Sequence, residues 1–181
     1  MRSPGNDPMD KNYKNNTKRL TSLALLTVIA LIMFVVEMQI PNPFPIPGIK
    51  LGLANIVTVY AVYHYRAYEV ITLAFVRIFL GSLIGGNMMA FLYSIAGSVL
   101  CLAGMILLKR IIDEKHIWIS SVFGAVLHNI GQIAVAMFIL GKSLIVYMPF
   151  LIVSGCLAGA FTGGCAQILL RKYRFGRIDR K

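Results

Sequence analysis

Arg77 stands in the apolar run AFVRIFLGSL, and His128, Asn129 and Gln132 stand in another, VLHNIGQIAV. Each is expensive to place in lipid, an arginine at a helix centre costing about 2.5–3.5 kcal/mol even on insertion scales. A guanidinium that is always charged requires a carboxylate, several carbonyls or a bound anion. Among the seven acidic residues, Glu37 at the end of the first apolar run is the one placed to reach it. His128 and Gln132 are four apart and share a helical face, while Asn129 is displaced by about 100°. At 1.5 Å per residue, Arg77 and His128 lie at similar depths in their runs, so the two can meet at one level of a bundle. This set suits charge and hydrogen-bond recognition of a small solute. Two alternatives stay open: an inter-helix hydrogen-bond network without ligand, and neutralisation of Arg77 by Glu37, which would leave a neutral solute.

A second group lies around a barrier. Pro41, Pro43, Pro45 and Pro47 alternate between two apolar runs and lead into GIKLGLANI. Alternate prolines remove every other backbone donor and bias the preceding residues toward extended geometry, so no helix continues through them. Irregular backbone near a membrane persists where protein or a water-filled cavity satisfies it. The segment is expected to form a stiff lid, with Gly48 and Gly52 as hinge positions, over a mouth carrying Lys50, Asn55 and Asn87. With Lys50 and Arg77 both cationic, the expected solute carries carboxylate, phosphate or diphosphate oxygen.

Catalysis is the poorer reading. Asp113 and Glu114 form the one adjacent acidic pair, and no aspartate cluster could hold magnesium against a diphosphate. No phosphate-binding G-x-x-x-x-G-K-[ST] loop, G-x-S-x-G elbow or H-E-x-x-H pair occurs. Cys101, Cys156 and Cys165 lack C-x-x-C spacing, so they read as packing residues, with neither a disulfide framework nor a metal site expected.

The elements that must position these residues are membrane helices. A chain that is 57% hydrophobic and 14% charged is too apolar for an ordinary soluble domain. Apolar runs cover roughly 20–39, 51–65, 69–87, 88–108, 118–140 and 144–170, most of them near the 20 residues a span requires. The expected fold is all-α, a six-helix membrane bundle. Its second helix is short, and would span with snorkelling flanks at Tyr63, Tyr65 and Arg66 or by thinning of the bilayer. Residues 1–19 read as a flexible tail, 20–172 as the membrane domain and 173–181 as a basic tail.

The net charge of +11 follows the topology. Arg2, Lys11, Lys14, Lys18, Arg19, Arg66, Lys109, Arg110, Lys115 and the six basic residues after 170 fall on one side, against Lys50 and Lys142 on the other. The positive-inside rule then places both termini in the cytoplasm of a multi-pass cell-membrane protein. The basic tails are expected to meet anionic lipid, not nucleic acid. The first run is followed by FVVEMQIP, without a small-residue cleavage pattern, so it is expected to remain as a helix. Gly155, Gly159 and Gly163 leave one face of the last helix bare, for packing inside the bundle or for docking another subunit.

PIPGIKLGLANIVTVYAVY, FVRIFLGSLIGG, NMMAFLYSIAGSVL and VFGAVLHNIGQ together resemble the bacterial family called Gx transporter or heptaprenyl diphosphate synthase component I. That family is in turn similar to the substrate-binding S components of energy-coupling factor (ECF) transporters. The resemblance implies a six-helix bundle that holds a small vitamin-like or isoprenoid-like solute near its outer face. It implies docking on a transmembrane coupling subunit driven by two ATPases, which would use the ATP, and no cofactor in this chain. S components often show an A-x-x-x-A face on the first helix, whereas here Ala24 and Ala30 are six apart. The family name also suggests a non-catalytic membrane subunit supporting prenyl diphosphate or quinone synthesis, and a membrane anchor for a flavin-linked redox assembly is a further alternative.

Overall fold

In a computed structural model of the chain, residues 8–40, 52–112 and 116–178 are described, with side chains over 16–40, 52–112 and 116–172. Regular structure among them is helical: α1 (Pro8–Gln39), α2 (Leu53–His64), α3 (Ala67–Ile84), α4 (Met88–Leu108), α5 (Ile117–Leu140) and α6 (Met148–Ile178). A 3-10 helix, Lys142–Tyr147, leads into α6. The expected domain bounds at residues 20 and 172 fall inside α1 and α6, each of which continues past its bound.

Five of the six helices, all except α2, contain segments long and apolar enough to cross a membrane. Their outward faces are apolar: Leu25, Val28, Ile32 and Val36 on α1 are all exposed, as are Phe75, Phe79 and Leu83 on α3. Exposure on this scale suits lipid, since soluble proteins rarely show apolar patches of more than a few hundred Å².

The short helix turns out to sit inside the bundle. α2 has 12 residues, about 18 Å, against a hydrocarbon core of about 30 Å. Ala54, Ile56, Val57, Thr58, Val59, Ala61, Val62 and Tyr63 are buried, so nearly its whole circumference meets protein. It packs against α1, α3, α4 and α6. A helix apolar all round is a buried helix. Neighbouring helices sheath the short run, and Tyr63, one of the expected snorkelling flanks, is buried among them. With Val70, Leu73 and Ala74 of α3 and Cys101, Leu102 and Met105 of α4, it forms the core.

One end of the bundle is stapled by polar contacts. Arg19 of α1 pairs with Glu69 of α3 through two contacts, Nε to Oε1 at 2.6 Å and Nη2 to Oε2 at 2.7 Å. The Glu69 carboxylate also accepts the Arg66 N–H at 2.9 Å, which fixes the start of α3. Lys109, at the end of α4, donates to the carbonyl of Val62 near the end of α2. Arg19, Arg66, Lys109, Arg110, Arg171 and Lys172 thus gather at this end, where α1 and α3 enter and α4 and α6 leave. At the far end Gly86, at φ 62°, makes the tight turn between α3 and α4 that a side chain would strain.

α5 lies between α4 and α6, and glycine permits both contacts. A Cβ on Gly131 would fall 2.7 Å from the Ala96 carbonyl oxygen of α4. Across the other face, a Cβ on Gly159 would meet the Cα of Val122 at 2.6 Å, and one on Gly163 the Cα of Trp118 at 2.7 Å. The bare stripe of α6 is therefore turned inward against α5, the packing reading of the two left open by the sequence. Backbone cannot yield as a side-chain tip does. Gly159→Ala is expected to cost about 1–3 kcal/mol and to lower the thermal midpoint in detergent. Gly164→Ala, where nothing lies within 4 Å of the added carbon, should leave the midpoint unchanged or raise it. A melting series on the two variants checks the contrast.

Candidate functional site

The polar residues singled out from the sequence come together. Asn55 of α2, Arg77 of α3, Asn87 before α4, and His128, Asn129 and Gln132 of α5 line one cavity of about 280 Å³, with Gly52 on its rim. The cavity lies toward the end of the bundle opposite the basic staple, where α1 and α3 end and α2 and α4 begin. Lys50, the prolines 41, 43, 45 and 47, and Gly48, which complete the expected mouth and lid, lie outside the described residues.

Part of the wall of the site is set by where α2 starts. Arg77 is seven residues before the end of α3 at Ile84 (84 − 77 = 7), about 10 Å along the helix. Its Nη1 donates to Asn55 Oδ1 at 3.4 Å, and Asn55 is only the third residue of α2. The head of α2 thus lies within reach of the Arg77 side chain.

Glu37 fixes that starting point. Its Oε1 accepts the Gly52 N–H at 2.5 Å and its Oε2 the Leu53 N–H at 3.1 Å. First-turn N–H groups have no partner within their own helix, and a carboxylate there also meets the positive end of the helix dipole. Gly52, at φ 74°, turns the backbone into this arrangement in a conformation that other residues rarely adopt. Glu37 is thus engaged by α2, and among the described residues no carboxylate lies within ion-pair distance of Arg77.

Arg77 is consequently short of partners. Its side chain is 8% exposed, its Nε has no hydrogen-bond partner among the described residues, and the contact to Asn55 is long. A desolvated guanidinium in this state is costly unless an anion joins it.

The α5 residues divide their roles. Asn129 Nδ2 donates to the Leu151 carbonyl of α6 at 2.6 Å, so this amide binds helix to helix while also facing the cavity. His128 and Gln132 sit against Gly97 of α4, where a Cβ would fall 3.0 Å from the imidazole Cε1 and 2.9 Å from Gln132 Cγ. Glycine at 97 lets both side chains lie at the α4 surface. Asn87 Oδ1 accepts the Ala90 N–H at 3.1 Å, capping α4 at the exposed rim.

The sequence reading missed part of the wall. Phe34 and Met38 of α1 and Ile78 of α3 supply apolar surface, and Ser82, Ser94 and Ser154 supply hydroxyls. The serines carried a signal, being polar within apolar runs. Phe34, Met38 and Ile78 carried none, since nothing in an apolar run marks which members face inward.

Comparison with known proteins gives one result. No curated protein and no solved structure matches the chain. The profile of the family described as heptaprenyl diphosphate synthase component I matches residues 26–169, from the middle of α1 through most of α6. This stretch includes all of α2 to α5 and every described residue of the cavity wall. The chain thus belongs to the heptaprenyl diphosphate synthase component I family.

Proposed function

We propose that this protein is a membrane-embedded solute-binding subunit, similar in role to the S components of energy-coupling factor importers. The observation that carries the reading is the cavity itself, where Asn55, Arg77, Asn87, His128, Asn129 and Gln132, from four places in the chain, converge. Ligand sites combine an apolar wall with a few placed polar groups in this way. The membrane bundle would have six helices with both termini cytoplasmic, α2 passing through the middle without touching lipid. The basic staple marks the inner end by the positive-inside rule. The cavity then faces outward, as capture of an external solute requires, and the energy for release inward would come from ATPases acting through a coupling subunit.

A second reading draws on the family match. A component I implies another component, so the chain would act as the membrane subunit of a synthase whose chemistry lies elsewhere. Co-purification of the full chain from native membranes separates the two. A transmembrane coupling protein with two ATPases supports import, and a soluble aspartate-rich synthase supports the second reading.

Orientation is tested in intact cells with a membrane-impermeant maleimide, after Cys101, Cys156 and Cys165 are replaced by alanine. Lys142→Cys is expected to label and Arg110→Cys to be protected until the membrane is opened; labelling of Arg110→Cys from outside would invert the bundle and the direction of capture.

Solute binding is tested by mass spectrometry of small molecules retained by the purified protein. Gln132→Leu keeps rough volume and removes hydrogen bonds, so it should weaken retention about tenfold, the worth of one to two such bonds, with the melting midpoint unchanged. Equal retention by parent and variant would reduce the α5 ridge to inter-helix adhesion.

A further inference from the structure

We propose that the ligand presents a single carboxylate to Arg77, making the solute class a small water-soluble monocarboxylate instead of a phosphate or diphosphate. The inference rests on the solute-binding reading above and specifies its chemistry. Arg77 is more than nine-tenths buried, lines the cavity, and holds an Nε without a partner among the described residues. Its one hydrogen bond among the described residues goes to an amide oxygen, which carries no charge. Glu37 lines the same cavity but spends both oxygens on the N–H groups at the start of α2. Glu37 therefore makes no direct ion pair with Arg77, and the guanidinium donors face the cavity for a ligand.

Charge counting selects the anion. Among the described lining residues, Arg77 is the one fixed cation and Glu37 the one carboxylate. One ligand carboxylate matches the planar fork of the guanidinium and adds a single negative charge to a cavity that already holds Glu37. A phosphate monoester brings about −1.5 to −2 and a diphosphate more. The excess would face Glu37 across a partly buried space, where like charges repel several times more strongly than in water. Size points the same way. A cavity of about 280 Å³ lies at the lower edge of the roughly 300–1,000 Å³ usual for small-molecule sites. Asn55, Gln132 and Ser94 on the wall suit a short polar body on that carboxylate, and Phe34 and Met38 a small apolar part.

The test uses the full chain in phosphatidylcholine nanodiscs, whose lipid carries no carboxylate, so the added salt is the source of freely diffusing carboxylate. Thermal midpoints are recorded with sodium acetate and propionate, and with inorganic phosphate and pyrophosphate, against chloride at matched ionic strength. Acetate and propionate are expected to raise the wild-type midpoint by about 3 °C at saturating concentration. Arg77→Gln should abolish the rise, and Arg77→Lys, which keeps the charge and loses the planar fork, should retain less than half of it. Greater protection by phosphate or pyrophosphate overturns the class, and protection by no anion, or equal protection of Arg77→Gln, overturns the anion site. Should Arg77→Gln fail to fold, the wild-type ranking of the four anions still decides. A neutral solute retained by the purified protein would sink the carboxylate and leave solute binding standing. An empty protein whose midpoint no anion moves would remove both.

Discussion

The arrangement around the cavity depends on what the Glu37 carboxylate does. By accepting the N–H groups of Gly52 and Leu53 it sets where α2 begins, and it satisfies donors that would otherwise lie unpaired beside an apolar interior. The same contact keeps the Glu37 carboxylate from pairing directly with Arg77. Had Glu37 closed on Arg77, the terminus of α2 would have lost its acceptor and the guanidinium would have been consumed by structure. An opening that contains a desolvated cation is therefore built by a distant pairing of acid with backbone. The surroundings of Arg77 are linked to architecture at residues 37 and 52.

Helix packing divides into two regimes around this point. Toward α4 and α6, α5 is held by glycine contacts so close that backbone meets backbone, at Gly131, Gly159 and Gly163. Such contacts gain van der Waals energy without any apolar driving force from the lipid. Toward the cavity, α5 instead presents His128, Asn129 and Gln132, which line it together with residues of α2 and α3. The close seam holds the helix in place so that the polar ridge need not. Asn129 belongs to both regimes, its amide nitrogen tied to Leu151 and its side chain on the cavity wall.

Much of this was legible in the sequence, for a reason particular to membranes. Lipid makes each polar residue conspicuous, so Arg77, His128, Asn129 and Gln132 stood out from their runs, and the convergence of His128 and Gln132 followed from their spacing. The long helices were legible by the same contrast. The role of Glu37 was not, because it was weighed as a partner for a charge when its partners are backbone groups fifteen and sixteen residues along the chain. The placement of α2 was also hidden: a short apolar run reads alike whether it meets lipid or protein, and only its surroundings distinguish the two. The inward turn of the α6 glycine stripe was one of two readings, and periodicity alone could not choose, since both need the same small residues. Arg19 with Glu69 is a contact fifty residues apart, for which no local pattern exists.

The start of α2 bears on how such a cavity can vary. Most binding pockets are carved by side chains, so their capacity changes with the bulk of individual residues. Here part of the wall is the head of a short central helix, at Gly52, Ala54 and Asn55. Adding or removing one turn there would move that part of the wall by about 5.4 Å. Capacity is thus written in the backbone, as the register at which Glu37 and Gly52 permit a helix to begin.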